Sequence, residues 1–187
     1  GVGLRRPEGH ALKIDLSGRT ALVCGASQGI GRACAKGLAA AGCKVIARAR
    51  SRGLLQPLML ELAGREHHFI CADVNDRPQL EEGLSEAIAK YNTIEVLVCN
   101  SGGPKAGPIV EAEDEAFLEA FYQHVLTNSF LVKKLLPGMR QKNFGRVINI
   151  ISTSVKTPIP NLGVSNTVRA AVASWAKTLS LELAPFN

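Results

Sequence analysis

Three glycines, Gly25, Gly29 and Gly31, have the clearest chemical use in this sequence, because their spacing suits a backbone that holds a phosphate. Thr20–Cys24 before them is a short apolar run of β propensity. From Gly29 onward the apolar residues Ile30, Ala33, Cys34, Leu38 and Ala41 recur at helical spacing. A strand, a glycine turn and a helix in that order leave N–H groups exposed at the helix start, where a pyrophosphate can approach closely. The pattern is G-x-x-x-G-x-G, and its flanking elements make Gly25, Ser27, Gln28, Gly29, Ile30 and Gly31 candidates for nucleotide binding. A glycine-rich turn without a ligand is the plain alternative, since the pattern alone is weak evidence. His67 and His68 have no companions at ligand spacing, so no metal site is expected.

Composition narrows the classes. The chain has 187 residues, 46% hydrophobic and 20% charged, which predicts a tail over 1–15 and one globular domain over 16–187. The net charge of +6 suits a polyanionic small ligand, and without a Lys/Arg tract or aromatic-basic surface no nucleic-acid partner is expected. Cys24, Cys34, Cys43, Cys71 and Cys99 form no C-x-x-C pair and sit in or beside apolar runs, as buried thiols of a reducing, cytoplasmic compartment would. No apolar run approaches the roughly 20 residues of a membrane span. Gly1–Lys13 lacks the apolar stretch of a signal peptide.

The elements that must position the glycine loop follow from the pattern. Strands are predicted at Thr20–Cys24, Lys44–Arg48, His67–Cys71, Ile94–Cys99 and Arg146–Ile151. Helices are predicted through Ala41, over Leu54–Ala63, from an Asn75 or Asp76 cap, from Glu111–Glu115 to Leu136, and over Ser165–Leu183. This alternation specifies an α/β fold, a doubly wound parallel sheet with helices on both faces. Ligands of such sheets sit beyond the carboxyl ends of the strands, which here are Gly25–Gly31, Ala49–Ser51, Asp73-Val74, Asn100–Gly103 and Ser152–Ser165.

Those segments resemble the short-chain dehydrogenase/reductase superfamily from about Leu16 onward, with the 3-oxoacyl-acyl-carrier-protein reductase-like subgroup the nearest in pattern. Cys24–Gly31 is similar to the family's T-G-x-x-x-G-x-G with Cys for Thr. Asp73-Val74 is similar to the pair the family sets against adenine, and Cys99-Asn100-Ser101-Gly102 resembles N-N-A-G with two positions changed. Phe144–Ile150 resembles the stretch leading to the family's catalytic serine, which falls at Ser152. The resemblance implies a Rossmann fold, a nicotinamide cofactor and a small-molecule carbonyl or hydroxyl substrate. The position that would hold an acidic residue for the ribose of NAD is Ala49, flanked by Arg48 and Arg50, so NADP(H) is expected over NAD(H), with Arg50 at the phosphate.

The family's proton chemistry uses Tyr-x-x-x-Lys, with a Ser thirteen residues before the Tyr and an Asn upstream. Tyr91 and Tyr122 are the only tyrosines, and Glu95 and Leu126 stand four residues after them. Registering the last helix on Lys177-Thr178-Leu179 puts Ser165 at the Tyr position, Arg169 at the Lys position and His124 at the Asn position; Ser152 alone matches. Three readings stay open: a reductase in which Ser152 and Ser165 hold the oxygen while His124 supplies the proton directly or through water, a cofactor-binding pseudoenzyme serving as sensor or assembly subunit, and a structural subunit whose loop binds nothing. The resemblance also implies a homodimer or homotetramer through the two long helices, where Phe121, Leu126, Phe130, Val172 and Trp175 give surplus apolar surface. Measured against the family pattern, a sixth and seventh strand are expected after Asn187, which makes the sheet C-terminally incomplete.

Overall fold

The computed structural model describes residues 14–186, so the expected tail falls almost wholly outside the described residues. Five strands, β1 (Thr20–Cys24), β2 (Lys44–Ala49), β3 (His68–Cys71), β4 (Val96–Cys99) and β5 (Arg146–Asn149), form one parallel sheet in the order β3-β2-β1-β4-β5. Strand order reverses between β1 and β4, whose register pairs Val23 with Val98. Their carboxyl ends therefore open a crevice at a topological switch point.

Alternation along the strands explains the two covered faces. Leu22, Ile46, Ile70 and Leu97 point to one side and pack with Leu80 and Leu84 of α3 (Arg77–Tyr91) and Leu131 and Leu135 of α5 (Thr127–Gln141). On the other side Val23, Val45, Ala47 and Val98 meet Ala35 and Ala39 of α1 (Gly29–Ala40) and Leu55 and Leu58 of α2 (Arg52–Glu61). This is the expected doubly wound sheet, and its central strands β1 and β4 are buried on both faces. Asp76 caps α3 by accepting from Gln79 N–H at 3.0 Å, with Pro78 in the first turn.

Several predicted boundaries move. Ile94 and Glu95 precede β4; the fully buried Glu95 carboxylate accepts from Thr20 N–H at 2.8 Å and from the Thr93 hydroxyl at 2.7 Å. The carboxylate satisfies the first donor of β1, while the Glu95 backbone donates to Thr20 O at 3.0 Å and accepts from Arg146 N–H at 2.9 Å. The single long helix expected up to Leu136 is α4 (Asp114–Phe121), a π-helical turn (Tyr122–Leu126) and α5, which continues past Pro137 to Gln141. The last helix, α6 (Gly163–Leu183), starts two residues before the expected Ser165. Among the helix residues expected to be surplus, Phe121 and Leu126 are exposed. Val172 is buried against α4, and Phe130 and Trp175 pack on the sheet core. Within the described residues no helix is long and apolar enough to cross a membrane, and no group of three or more His, Cys, Asp or Glu could hold a metal. All five cysteines are free, with Cys24, Cys43 and Cys99 buried.

Candidate functional site

The loop after β1 is held by backbone geometry. Gly25 and Gly29 have φ of +61° and +55°, values an L side chain rarely adopts. At Gly31 the constraint is space: a Cβ there would lie 2.2 Å from Gly25 O and 2.8 Å from Asn100 Nδ2. Asn100 reaches across from the end of β4 and donates to Gly25 O at 3.4 Å, and Ala26 N–H donates to Arg48 O at 3.1 Å. Loop, β2 and β4 are thus tied together. Gln28 at the N-cap of α1 makes no side-chain cap bond, and the first turn holds no acidic residue, so its N–H groups and positive dipole end are open to an anion.

This loop forms one wall of a groove of about 460 Å³. Gly25, Ser27, Gln28, Gly29 and Ile30 line it; Gly31 lies behind them as a packing residue. Arg50, Asp73 and Val74 line it from the ends of β2 and β3, and Asn100, Ser101 and Gly102 from the end of β4. Sequence reasoning missed Gln123, which lines the groove and donates to Gly102 O at 2.9 Å. It also passed over Arg48 as a site residue. Arg50 is a rim residue, 79% exposed and 3.9 Å from the Asp73 carboxylate, whereas Arg48 is only 3% exposed. Arg48 lines the groove, and the Nε and Nη2 of its guanidinium are buried without a hydrogen-bond partner. Burial pulls its pKa down, partly offset by the Cys24 thiol and the Asp73 carboxylate. A signal was present: a lone charge in the otherwise apolar run Val45–Ala49, in register with Ile46 on the covered face.

Two of the catalytic candidates, His124 and Arg169, meet at Ser101. His124, in the π-helical turn, is 3% exposed and places Nδ1 3.0 Å from Ser101 Oγ, while its Nε2 is buried without a partner. Arg169 on α6 donates to Ile150 O at 2.8 Å and to Ser101 O at 3.5 Å. Ser165 lies half-buried one turn before Arg169, and Ser152, also half-buried, accepts from Ser154 N–H at 3.1 Å. Both tyrosines are engaged elsewhere: Tyr91 donates to Glu66 O at 2.7 Å, and Tyr122 meets Arg77 Nε at 3.3 Å.

The expectation that His124 supplies the proton meets a physical obstacle here. Burial, reinforced by the nearby Arg169 charge, lowers its pKa from 6.5 to about 4, so it is neutral at pH 7 and a poor acid. Because the unfolded chain binds this proton near pH 6.5 and the folded one only near 4, its contribution to stability is complete above pH 6.5 and lost as pH falls towards 4. Urea unfolding across that range should therefore show a flatter pH dependence for His124→Asn than for the wild type. Identical slopes would place the imidazole in solvent instead.

The sequence matches the family model of short chain dehydrogenases over residues 19–187. It is 34% identical over 169 residues to an enzyme named as a ketoacyl reductase of the granaticin polyketide synthase from Streptomyces violaceoruber, covering 88% of this chain and 62% of that protein. Against the 3-oxoacyl-[acyl-carrier-protein] reductase of Escherichia coli it is 31% identical over 173 residues, covering 91% and 70%. The chain thus spans less than two thirds of the length of the Streptomyces ketoacyl reductases it matches, 62% and 64%. Among solved structures, L-sorbose reductase from Gluconobacter frateurii complexed with NADPH and L-sorbose superimposes with a TM-score of 0.89 at 27% identity, covering 94% of this chain and 68% of that one. The 3-ketoacyl-(acyl-carrier-protein) reductase from Brucella melitensis complexed with NADH gives 0.85 at 27% identity, covering 92% and 72%.

Proposed function

The chain belongs to the short chain dehydrogenase family, and from that premise we propose that it is an NADP(H)-dependent oxidoreductase acting on a carbonyl or hydroxyl substrate. The observation that carries the cofactor reading is Arg48, a buried residue of the groove lining whose guanidinium has two unpartnered nitrogens, beside an open helix N-terminus. Burying such a group without an anion is costly, and a 2′-phosphate supplies the anion. The groove residues fit the rest of a dinucleotide. Gly25, Ser27, Gln28, Gly29 and Ile30 with the N–H groups of α1 hold the pyrophosphate, and Gly31 sets their spacing. Asp73 and Val74 flank the adenine, Arg50 assists at the rim, and Asn100, Ser101 and Gly102 line the remaining wall. When bound, the nicotinamide supplies or accepts the hydride. Relatives complexed with NADPH and with NADH support a nicotinamide cofactor.

In this reading the Ser152 and Ser165 hydroxyls hold the substrate oxygen, and Arg169 holds the ends of β4 and β5 against α6. His124 positions Ser101 as a neutral hydrogen-bonding partner, and water supplies the proton. A serine hydroxyl is a weaker acid than a phenol of pKa about 10, so turnover should be slow. A second reading, cofactor binding without turnover, is favoured by that same engagement of Arg169, His124 and both tyrosines in internal bonds. Following the reduced nicotinamide absorbance with a panel of activated β-keto esters separates the two. Consumption of NADPH that drops at least about tenfold in Ser152→Ala and Ser165→Ala, the loss of one oxygen-holding hydrogen bond each, is the expected result. Binding of NADPH with no consumption on any ketone would establish the second reading.

A further inference from the structure

Two positions at which this chain departs from its family's pattern meet in space. Ser101 stands where N-N-A-G has Ala, and His124 stands where the family has Asn. Their side chains lie 3.0 Å apart, Ser101 Oγ to His124 Nδ1, which is the contact of a nucleophile with its base. The family's own pair has no such chemistry, because an alanine offers no nucleophile and an Asn amide does not titrate.

The surroundings suit acyl transfer. His124 is 3% exposed in the π-helical turn, while Ser101 is half-buried and lines the open groove. Gly102 and Gly103 follow it, both exposed, and their backbone N–H groups have no partner among the described residues. The Arg169 guanidinium approaches from α6, with Nη2 3.5 Å from Ser101 O and 3.9 Å from where a Cβ of Gly103 would stand. Unused N–H donors and a fixed positive charge beside a serine are the supports that a tetrahedral oxyanion needs. The same charge limits the rate. Burial and Arg169, partly offset by the Gly102 backbone, hold the imidazole at a pKa of about 4, so at pH 7 it is free to accept a proton but is a weak base. The class of substrate it fits is therefore an acyl group on a good leaving group, such as an aryl ester.

We propose that Ser101 and His124 form a second reactive centre, an acyl-accepting serine with its base, that hydrolyses activated esters without a dinucleotide. Ser101 Oγ attacks the ester carbonyl as its proton passes to His124 Nδ1. The intermediate collapses, the bond from the carbonyl carbon to the leaving oxygen breaks, and the phenol departs with the proton from His124. Water then attacks the acyl-serine with His124 again as base, releasing the acid and the free serine. The test is p-nitrophenyl acetate added to the full chain without cofactor, with nitrophenolate release followed by absorbance and the acetylated residue located by peptide mass spectrometry. One acetyl group on Ser101 is expected. Ser101→Ala and His124→Asn restore the family's own residue types, which its fold accommodates, and each should slow release at least about a hundredfold by removing the nucleophile or its base. Ser101→Cys should keep acetylation at that position. In the wild type the rate should stay level between about pH 6 and 8, because the base is already unprotonated there. Acetyl found on lysines alone, release unchanged in Ser101→Ala, or a rate that climbs with hydroxide through that range would each overturn the proposal. Since no dinucleotide takes part, failure here leaves the cofactor reading standing.

Discussion

Gly31→Ala is expected to weaken dinucleotide binding about a hundredfold. The added methyl would lie 2.2 Å from Gly25 O and 2.7 Å from its carbonyl carbon, which are backbone atoms and cannot swing aside. Gly25 cannot retreat either, since it already turns at φ +61° with its own Cα face against Asn100. Relief requires α1 and the loop to separate, and that carries the open N–H groups away from the groove. A loss of roughly a hundredfold in NADPH affinity, ~2.7 kcal/mol, is the expected calorimetric result. Gly37→Ala is the matched control: that exposed helical glycine has open space around its Cβ position. It should bind as the wild type does and gain about 0.5–1 kcal/mol in stability. Equal NADPH affinity in Gly31→Ala and the wild type would show that the loop does not hold the ligand.

Arg48→Met should separate stability from binding. Without a ligand the buried guanidinium has two nitrogens that no group satisfies, so a methionine of similar length is expected to leave the melting temperature unchanged or higher. With NADPH the same change removes charge-assisted bonds worth about 1.5–3 kcal/mol, or roughly 10- to 150-fold in affinity. NADH, which lacks the 2′-phosphate, should bind the variant and the wild type alike. Arg50→Met should cost only a few-fold, because its exposed side chain is screened by solvent and faces Asp73 at 3.9 Å. A parallel loss for both cofactors would make Arg48 a structural residue.

Much of the fold was legible because the strands are short apolar runs bounded by turn residues. β1 falls on the expected Thr20–Cys24 residue for residue. Where the reading slipped, tertiary bonds decided. Ile94-Glu95 looks like the start of a strand, and the Glu95 backbone does bond Thr20 and Arg146 on either side, yet the regular strand begins only at Val96 and the Glu95 carboxylate turns to Thr20 N–H. The π-helical turn at Tyr122–Leu126 leaves no mark in apolar spacing, since a change from i−4 to i−5 bonding does not change residue types. The groove was legible at its glycines and at the strand ends, where topology brings distant loops together. Arg48 and His124 were harder. Their types are visible in the sequence, but their burial depends on what packs over them, and burial makes one an unpaired cation and the other a neutral imidazole.

The central claim, that the crevice between β1 and β4 is an NADP(H) site, is tested most directly by calorimetric titration of the folded full chain with NADPH and, separately, NADH. Both should bind saturably, with NADPH at least about tenfold tighter through the charge-assisted bonds of its 2′-phosphate. No binding of either to a chain shown to be folded, or NADH binding as tightly as NADPH, would contradict it.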